Sequence, residues 1–209
     1  MGNRDYKQSG IGEYFHIYNR GNSKNNIFLN DDDFKFFILK INQNLFPSIY
    51  KQNRIHSTPI PENSFSIISY CLMPNHFHFL VKQNSTVTIS KLILKVCTSY
   101  SKYFNKKYEK VGHVFQDQFK QVFIEDNSYL LWLSAYIHLN PKVARLTNNA
   151  GDYKWSSYAD YIGLNKSSIN CEKELIINQF SGCSDYNNFV EDSYNIIKTK
   201  KELESLLID

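Results

Sequence analysis

The sequence predicts an α+β fold. It is a ferredoxin-like, split β-α-β antiparallel sheet with helices on one face, followed by one more helix and a helical C-terminal extension. Three observations predict it. Short β-rich runs, alternating or continuously apolar, mark four strands. Two longer stretches carry apolar residues at helical spacing. The segments come in the order β-α-β-β-α-β-α, and the first six are the split β-α-β series.

Tyr14–Asn19 (YFHIYN) alternates and is β-rich, which predicts a strand. Asn30–Phe46 opens with three aspartates, suited to the positive end of a helix dipole, and continues with helical spacing. Pro47–Ser64 is polar, carries Pro47, Pro59 and Pro61, and is expected to be a surface insertion. Phe65–Met73 and His76–Lys82 read as strands joined by a short turn at Pro74-Asn75. Val87–Tyr108 is a long amphipathic helix, Phe119–Glu125 a strand, and Asn127–Leu139 a helix expected to end near Asn140-Pro141. Residues 152–209 look mainly helical and polar. The expected division is a domain over 1–164 and a helical extension over 165–209.

The chain has 209 residues, enough for one domain with an appendage. No apolar run approaches the ~18 residues that cross a bilayer, and Met1–Gly10 is polar, without a signal-like apolar stretch. A cytoplasmic protein with no membrane partner is expected. Its four cysteines form no C-x-x-C pair, which argues against a zinc finger or a disulfide scaffold. Residues 1–164 carry 19 Lys+Arg against 12 Asp+Glu, and residues 165–209 carry 5 against 8. The positive excess lies with the aromatics, a combination suited to a polyanion. An AT-rich coding bias toward Lys, Asn, Ile and Tyr would produce the same composition.

Two motifs carry chemistry. In Pro74-Asn75-His76-Phe77-His78-Phe79, strand alternation puts His76 and His78 on one face and Phe77 and Phe79 on the other. Two imidazoles so placed can ligate one cation. With six histidines, however, chance alone gives an H-x-H in roughly one shuffled chain in six, so spacing by itself does not assign a metal. In Ala135-Tyr136-Ile137-His138-Leu139-Asn140-Pro141, Tyr136 and Asn140 are i and i+4 on one helical face. An amide oxygen is a hard ligand suited to Mg²⁺ or Mn²⁺. A phenol one turn from a metal-bound phosphate is a candidate nucleophile if a cation offsets its ordinary pKa of about 10. The plainer readings are a core tyrosine and an asparagine capping the helix before Pro141. His138 falls on another face and is expected to pack or to lie at the surface, not to be a third imidazole ligand.

These motifs occur in order with others: Tyr18–Asn22 (YNRGN), Met73–Val81 (MPNHFHFLV), Phe115–Lys120 (FQDQFK), Tyr129–Pro141 (YLLWLSAYIHLNP) and Tyr153–Gly163 (YKWSSYADYIG). The set resembles the single-tyrosine transposases of the HUH endonuclease superfamily, especially the REP-associated tyrosine transposases, over about residues 14–164. The resemblance implies a catalytic domain with His76 and His78 as metal ligands on a central strand, Tyr136 as nucleophile on the helix after the last strand, and Asn140 as third, oxygen ligand. It implies a transposase: a Mg²⁺- or Mn²⁺-dependent single-stranded DNA endonuclease and strand transferase, acting through a 5′-phosphotyrosine at hairpin-flanked sites. Partners would be single-stranded DNA and DNA hairpins, and the protein a monomer or homodimer. Two departures stand out. Where the family often continues from Asn-Pro as V-R-A-G-L, this chain has Lys142-Val143-Ala144-Arg145-Leu146, and the Pro47–Ser64 insertion is extra. Candidate DNA contacts are Arg20, Lys102, Lys106, Lys107, Lys110, Phe115, Gln116 and Lys120, a mix of cations and aromatics suited to phosphates and bases. Two other functions fit the same residues: a domesticated hairpin-binding protein that does not cut, and a metal phosphodiesterase that uses water.

Overall fold

The computed structural model describes residues 10–50 and 58–206. The expectation for Met1–Gly10 therefore lies almost wholly outside the described residues, and so does the middle of the Pro47–Ser64 insertion. The strands are β1 (Tyr14–Arg20), β2 (Phe65–Met73), β3 (His76–Gln83) and β4 (Lys120–Ile124). They form one sheet in the order β2-β3-β1-β4, with every neighbouring pair antiparallel. Helix α1 (Asp31–Leu45) links β1 to β2, α2 (Ile89–Lys107) links β3 to β4, and α3 (Asn127–Val143) follows β4. This is the split β-α-β arrangement read from the sequence.

Alternation gives the sheet two apolar faces. Phe15, Ile17, Phe77, Phe79 and Val81 pack with α1 and α2 in a first core. Leu80, Ile124, Cys71 and Met73 pack with α3 in a second. That second core also takes Tyr158 and Tyr161 of α4 (Tyr158–Tyr161), Ile176 of α5 (Glu174–Ile177), and Tyr186, Val190 and Ile197 of α6 (Cys183–Leu206). The added helix and the extension thus cover the face that α1 and α2 leave open.

Local chemistry fixes the elements. Asn30 and Asp33 form a capping box at the start of α1. The buried Asp33 carboxylate also binds Lys107 at 2.7 Å and Tyr108 at 2.7 Å, tying the start of α1 to the end of α2. Gly21 ends β1 where a Cβ would meet the Asn25 carbonyl oxygen at 2.1 Å, so only glycine fits there. The segment around Trp155–Ser157 borders β2: Leu72 N–H donates to Trp155 O and Ser157 N–H to Tyr70 O. Tyr161 Oη donates to Ile68 O, so much of that edge is satisfied.

The ends of the strands and of α1 and α2 lie within two residues of the sequence reading, and the end of α3 lies further on. Helix α3 runs through Pro141 to Val143, with Ala144 as its C-cap. Asn140 is therefore inside the helix, and the reading of Asn140 as a terminal cap is overturned. Proline removes a single N–H donor, here within the last turn, where the backbone bonds Ala144 N–H to Asn140 O and Leu146 N–H to Pro141 O carry the helix to its end. Among the described residues, no helix is long and apolar enough to cross a membrane.

Candidate active site

The second face of the sheet carries the polar cluster. His16, Tyr18 and Arg20 of β1 and His76 and His78 of β3 share it, because Tyr18 pairs with His78 and Arg20 with His76. Helix α3 crosses this face. It sets the Tyr136 ring edge-on to His78, with centroids 5.7 Å apart and planes at 88°, and 6.3 Å from His16. One turn on, Asn140 is fully buried. Its Nδ2 donates to Tyr136 O at 2.8 Å, and its side chain is also hydrogen-bonded to His76. The structure thus brings His76, His78, Tyr136 and Asn140 together around one point.

Two residues missing from the sequence reading join them. His16 meets His78, with Nε2 2.9 Å from Nδ1. Lys201, near the end of α6, donates from Nζ to Asn140 Oδ1 and lies 5.0 Å from the centre of the Tyr136 ring. The parity of the first strand points to His16 once β1 is known to neighbour β3. Lys201 lies 61 residues beyond Asn140 and carries no local signal.

The electrostatics follow from burial. Desolvation pushes His16 down to about 4 and His76 down to about 3, where the charges of Arg20 and Lys201 add to the effect. His78 lies well below the usual histidine range for the same reasons. All three imidazoles are neutral near pH 7, so each keeps a lone pair. His138 is apart from the cluster. It is buried, with Nδ1 on Tyr186 Oη at 2.8 Å and Nε2 on Ser157 Oγ at 2.9 Å, so of the two places expected for it, packing holds.

These donors suit a divalent cation. Among the described residues, no group of three or more His, Cys, Asp or Glu could hold a metal. A site here would rest on the two imidazoles and the Asn140 amide oxygen. That oxygen already accepts a cationic amine from Lys201, which shows that the geometry admits positive charge. Two borderline nitrogens and one hard oxygen suit Mn²⁺ at least as well as Mg²⁺.

The expected DNA contacts divide by location. Arg20 and Lys120 are exposed beside the histidine pair, with Lys120 Nζ 5.9 Å from the Tyr18 ring centre, and Gln116 N–H donates to Arg20 O. Lys102 and Lys106 are exposed on α2, across the sheet from the cluster, and Lys110 lies just beyond, over Phe104. Lys107 is engaged with Asp33, Asn30 and Tyr103. Phe115 packs in the first core against Phe77, which removes its ring from any base.

A four-stranded split β-α-β sheet, with a histidine pair on an inner strand and a tyrosine helix laid across it, defines the single-tyrosine HUH class. The model of the IS200-like transposase family matches residues 37–140 of the chain, a span holding His76, His78, Tyr136 and Asn140. No curated protein sequence matches the chain. Among solved structures it is similar to a REP-associated tyrosine transposase bound to a REP hairpin. The TM-score is 0.56 at 15% identity, over 83% of this chain and 93% of that one.

Proposed function

We propose that this chain is a transposase, a metal-dependent single-stranded DNA endonuclease and strand transferase, acting through a 5′-phosphotyrosine at hairpin-flanked sites. The observation that carries the reading is the convergence of Tyr136, Asn140, His76 and His78 on one face of the sheet. The hairpin partner is drawn from the similar structure, which is bound to a REP hairpin. In this reading His76, His78 and Asn140 would hold Mn²⁺ or Mg²⁺. When bound, such a cation supplies charge neutralisation at the non-bridging oxygens of the scissile phosphate.

The remaining steps belong to the chain. Arg20 and Lys120 border the site and attract the DNA backbone. Helix α3 holds the Tyr136 phenol over the histidine pair and so fixes its line of approach. Tyr136 Oη bonds to phosphorus as the P–O3′ bond breaks, leaving a free 3′-hydroxyl and a 5′-phosphotyrosine. The phenol proton passes to solvent, and the departing O3′ gains one. The new ester keeps the phosphodiester energy, so a second 3′-hydroxyl can reverse the attack and join strands without ATP.

The test is a denaturing gel with labelled single-stranded DNA that carries a hairpin, with and without Mn²⁺. A covalent adduct is expected in the wild type and none in Tyr136→Phe, which should keep its hairpin affinity. Cleavage without an adduct would favour the water-using phosphodiesterase. Binding without cleavage would favour a domesticated hairpin-binding protein.

A further inference from the structure

Both members of the histidine pair have Nδ1 already engaged. His76 Nδ1 lies 2.6 Å from Asn75 Oδ1. The orientation of that amide is set independently, because Asn75 Nδ2 donates to Lys24 O at 3.2 Å. The oxygen therefore faces His76. It can only accept, so His76 Nδ1 carries the hydrogen and Nε2 the lone pair. His78 Nδ1 lies 2.9 Å from His16 Nε2, with the two ring planes 20° apart and the centroids 5.1 Å apart. Nearly parallel rings whose nitrogens are much closer than their centres meet edge to edge, so a single hydrogen lies between the two nitrogens.

We propose that Asn75 and His16 are positioning residues that set the tautomer of the pair: each accepts from an Nδ1–H, so that each Nε2 carries a lone pair that one cation could take. At His76 the cation would replace the hydrogen bond to the Asn140 side chain. The inference rests on the cation reading above. Of the two ways to place the hydrogen between His16 and His78, only donation by His78 leaves its Nε2 able to ligate. Metal-binding histidines generally use the second nitrogen in this way, and loss of the outer partner typically costs 10–100-fold in affinity. His16 lies on β1 and is buried, so the neighbouring strand fixes the ring that β3 presents.

The primary test needs no metal. Nitrogen-15 NMR of histidine-labelled, metal-free protein reads each ring's tautomer directly. Wild type should show His76 and His78 as Nδ1–H tautomers. In His16→Leu, His78 should shift toward Nε2–H, the form free imidazole prefers. His16→Gln places an amide oxygen near the lost Nε2 and should restore Nδ1–H. Calorimetry with Mn²⁺ should then show about tenfold or greater weakening in His16→Leu and recovery to within a few-fold in His16→Gln. An Nε2–H tautomer at His78 in the wild type overturns the proposal without any variant, and so does unchanged Mn²⁺ affinity in His16→Leu. Wild type with both Nδ1–H tautomers but no Mn²⁺ binding upholds the positioning role and overturns the cation reading instead.

Discussion

Arg145 stands at φ 58°, in the left-handed region that non-glycine residues rarely occupy. It is the slot where the family's V-R-A-G-L continuation has glycine. Here the backbone still closes α3 with paired bonds, Leu146 N–H to Pro141 O at 2.9 Å and Arg145 N–H to Lys142 O at 3.0 Å. The conformation costs a non-glycine residue about 1–2 kcal/mol, partly offset because glycine loses more entropy on folding. Arg145→Gly should therefore raise unfolding stability by about 0.5–1 kcal/mol in denaturant melts, and a loss would show that the Arg145 side chain contributes more than its backbone costs. Asn140 is the other telling residue. Helical spacing placed it one turn from Tyr136, but ligand and cap could not be separated without knowing where the helix ends. With α3 reaching Val143, its amide is free of any capping role and its Oδ1 points into the cluster. Asn140→Ala should abolish most of the Mn²⁺-induced rise in melting temperature while the metal-free protein still folds, read by thermal melts with and without the ion.

The elements were legible wherever a pattern was local. Alternating or continuously apolar β-rich runs mark β1 to β4, helical spacing marks α1 and α2, and the order of the elements selects the sheet topology. The histidine pair was legible for the same reason, since parity within one strand fixes its face. What depended on long-range packing was not legible. The contact of Lys201 with Asn140 depends on α6 docking against α3 through Tyr186, Val190 and Ile197, whose positions follow from tertiary structure. The burial of Phe115 and the capture of Lys107 by Asp33 are likewise properties of the assembled core, which is why an alternating basic and aromatic segment read as a DNA surface. The position of Lys201 has a direct consequence. Its amine occupies an acceptor on Asn140 Oδ1 that a cation would also use, and it adds a positive charge to the same site. Lys201→Ala should bind Mn²⁺ more tightly by about tenfold, the scale expected for removing one nearby like charge from a partly screened site. Titration calorimetry decides it, and equal affinity would mean that the amine moves aside without cost.

At the scale of the whole molecule, the buried histidines set how the fold answers to acid. His16 is lowered to about 4, and His76 and His138 to about 3, each chiefly by burial. His78 shifts in the same direction. In the unfolded chain these rings titrate near 6.5. Above that value neither state binds their protons, and the full stability is present. As pH falls through 6.5, the unfolded chain takes up protons that the native state refuses, so stability is lost progressively until the native groups themselves protonate. At pH 5 each such histidine costs about 2 kcal/mol as an upper bound, against a total stability of roughly 5–15 kcal/mol for a domain of ordinary size. Carboxylates do not confuse this window: Asp33 and Asp160 are held below their usual values, and their contribution disappears only at lower pH. The metal-free protein should therefore show a denaturant midpoint that is steady from pH 8 to 7 and falls steeply between about 6.5 and 4. His138→Gln isolates one contributor. His138 donates or accepts at both Tyr186 Oη and Ser157 Oγ, so the variant should be less stable near pH 7 through lost hydrogen bonds yet show a shallower decline below pH 6.5. A wild-type midpoint that stays flat from pH 7 to pH 5 would show that these rings gain protons in place, which would require the second core to admit water around them.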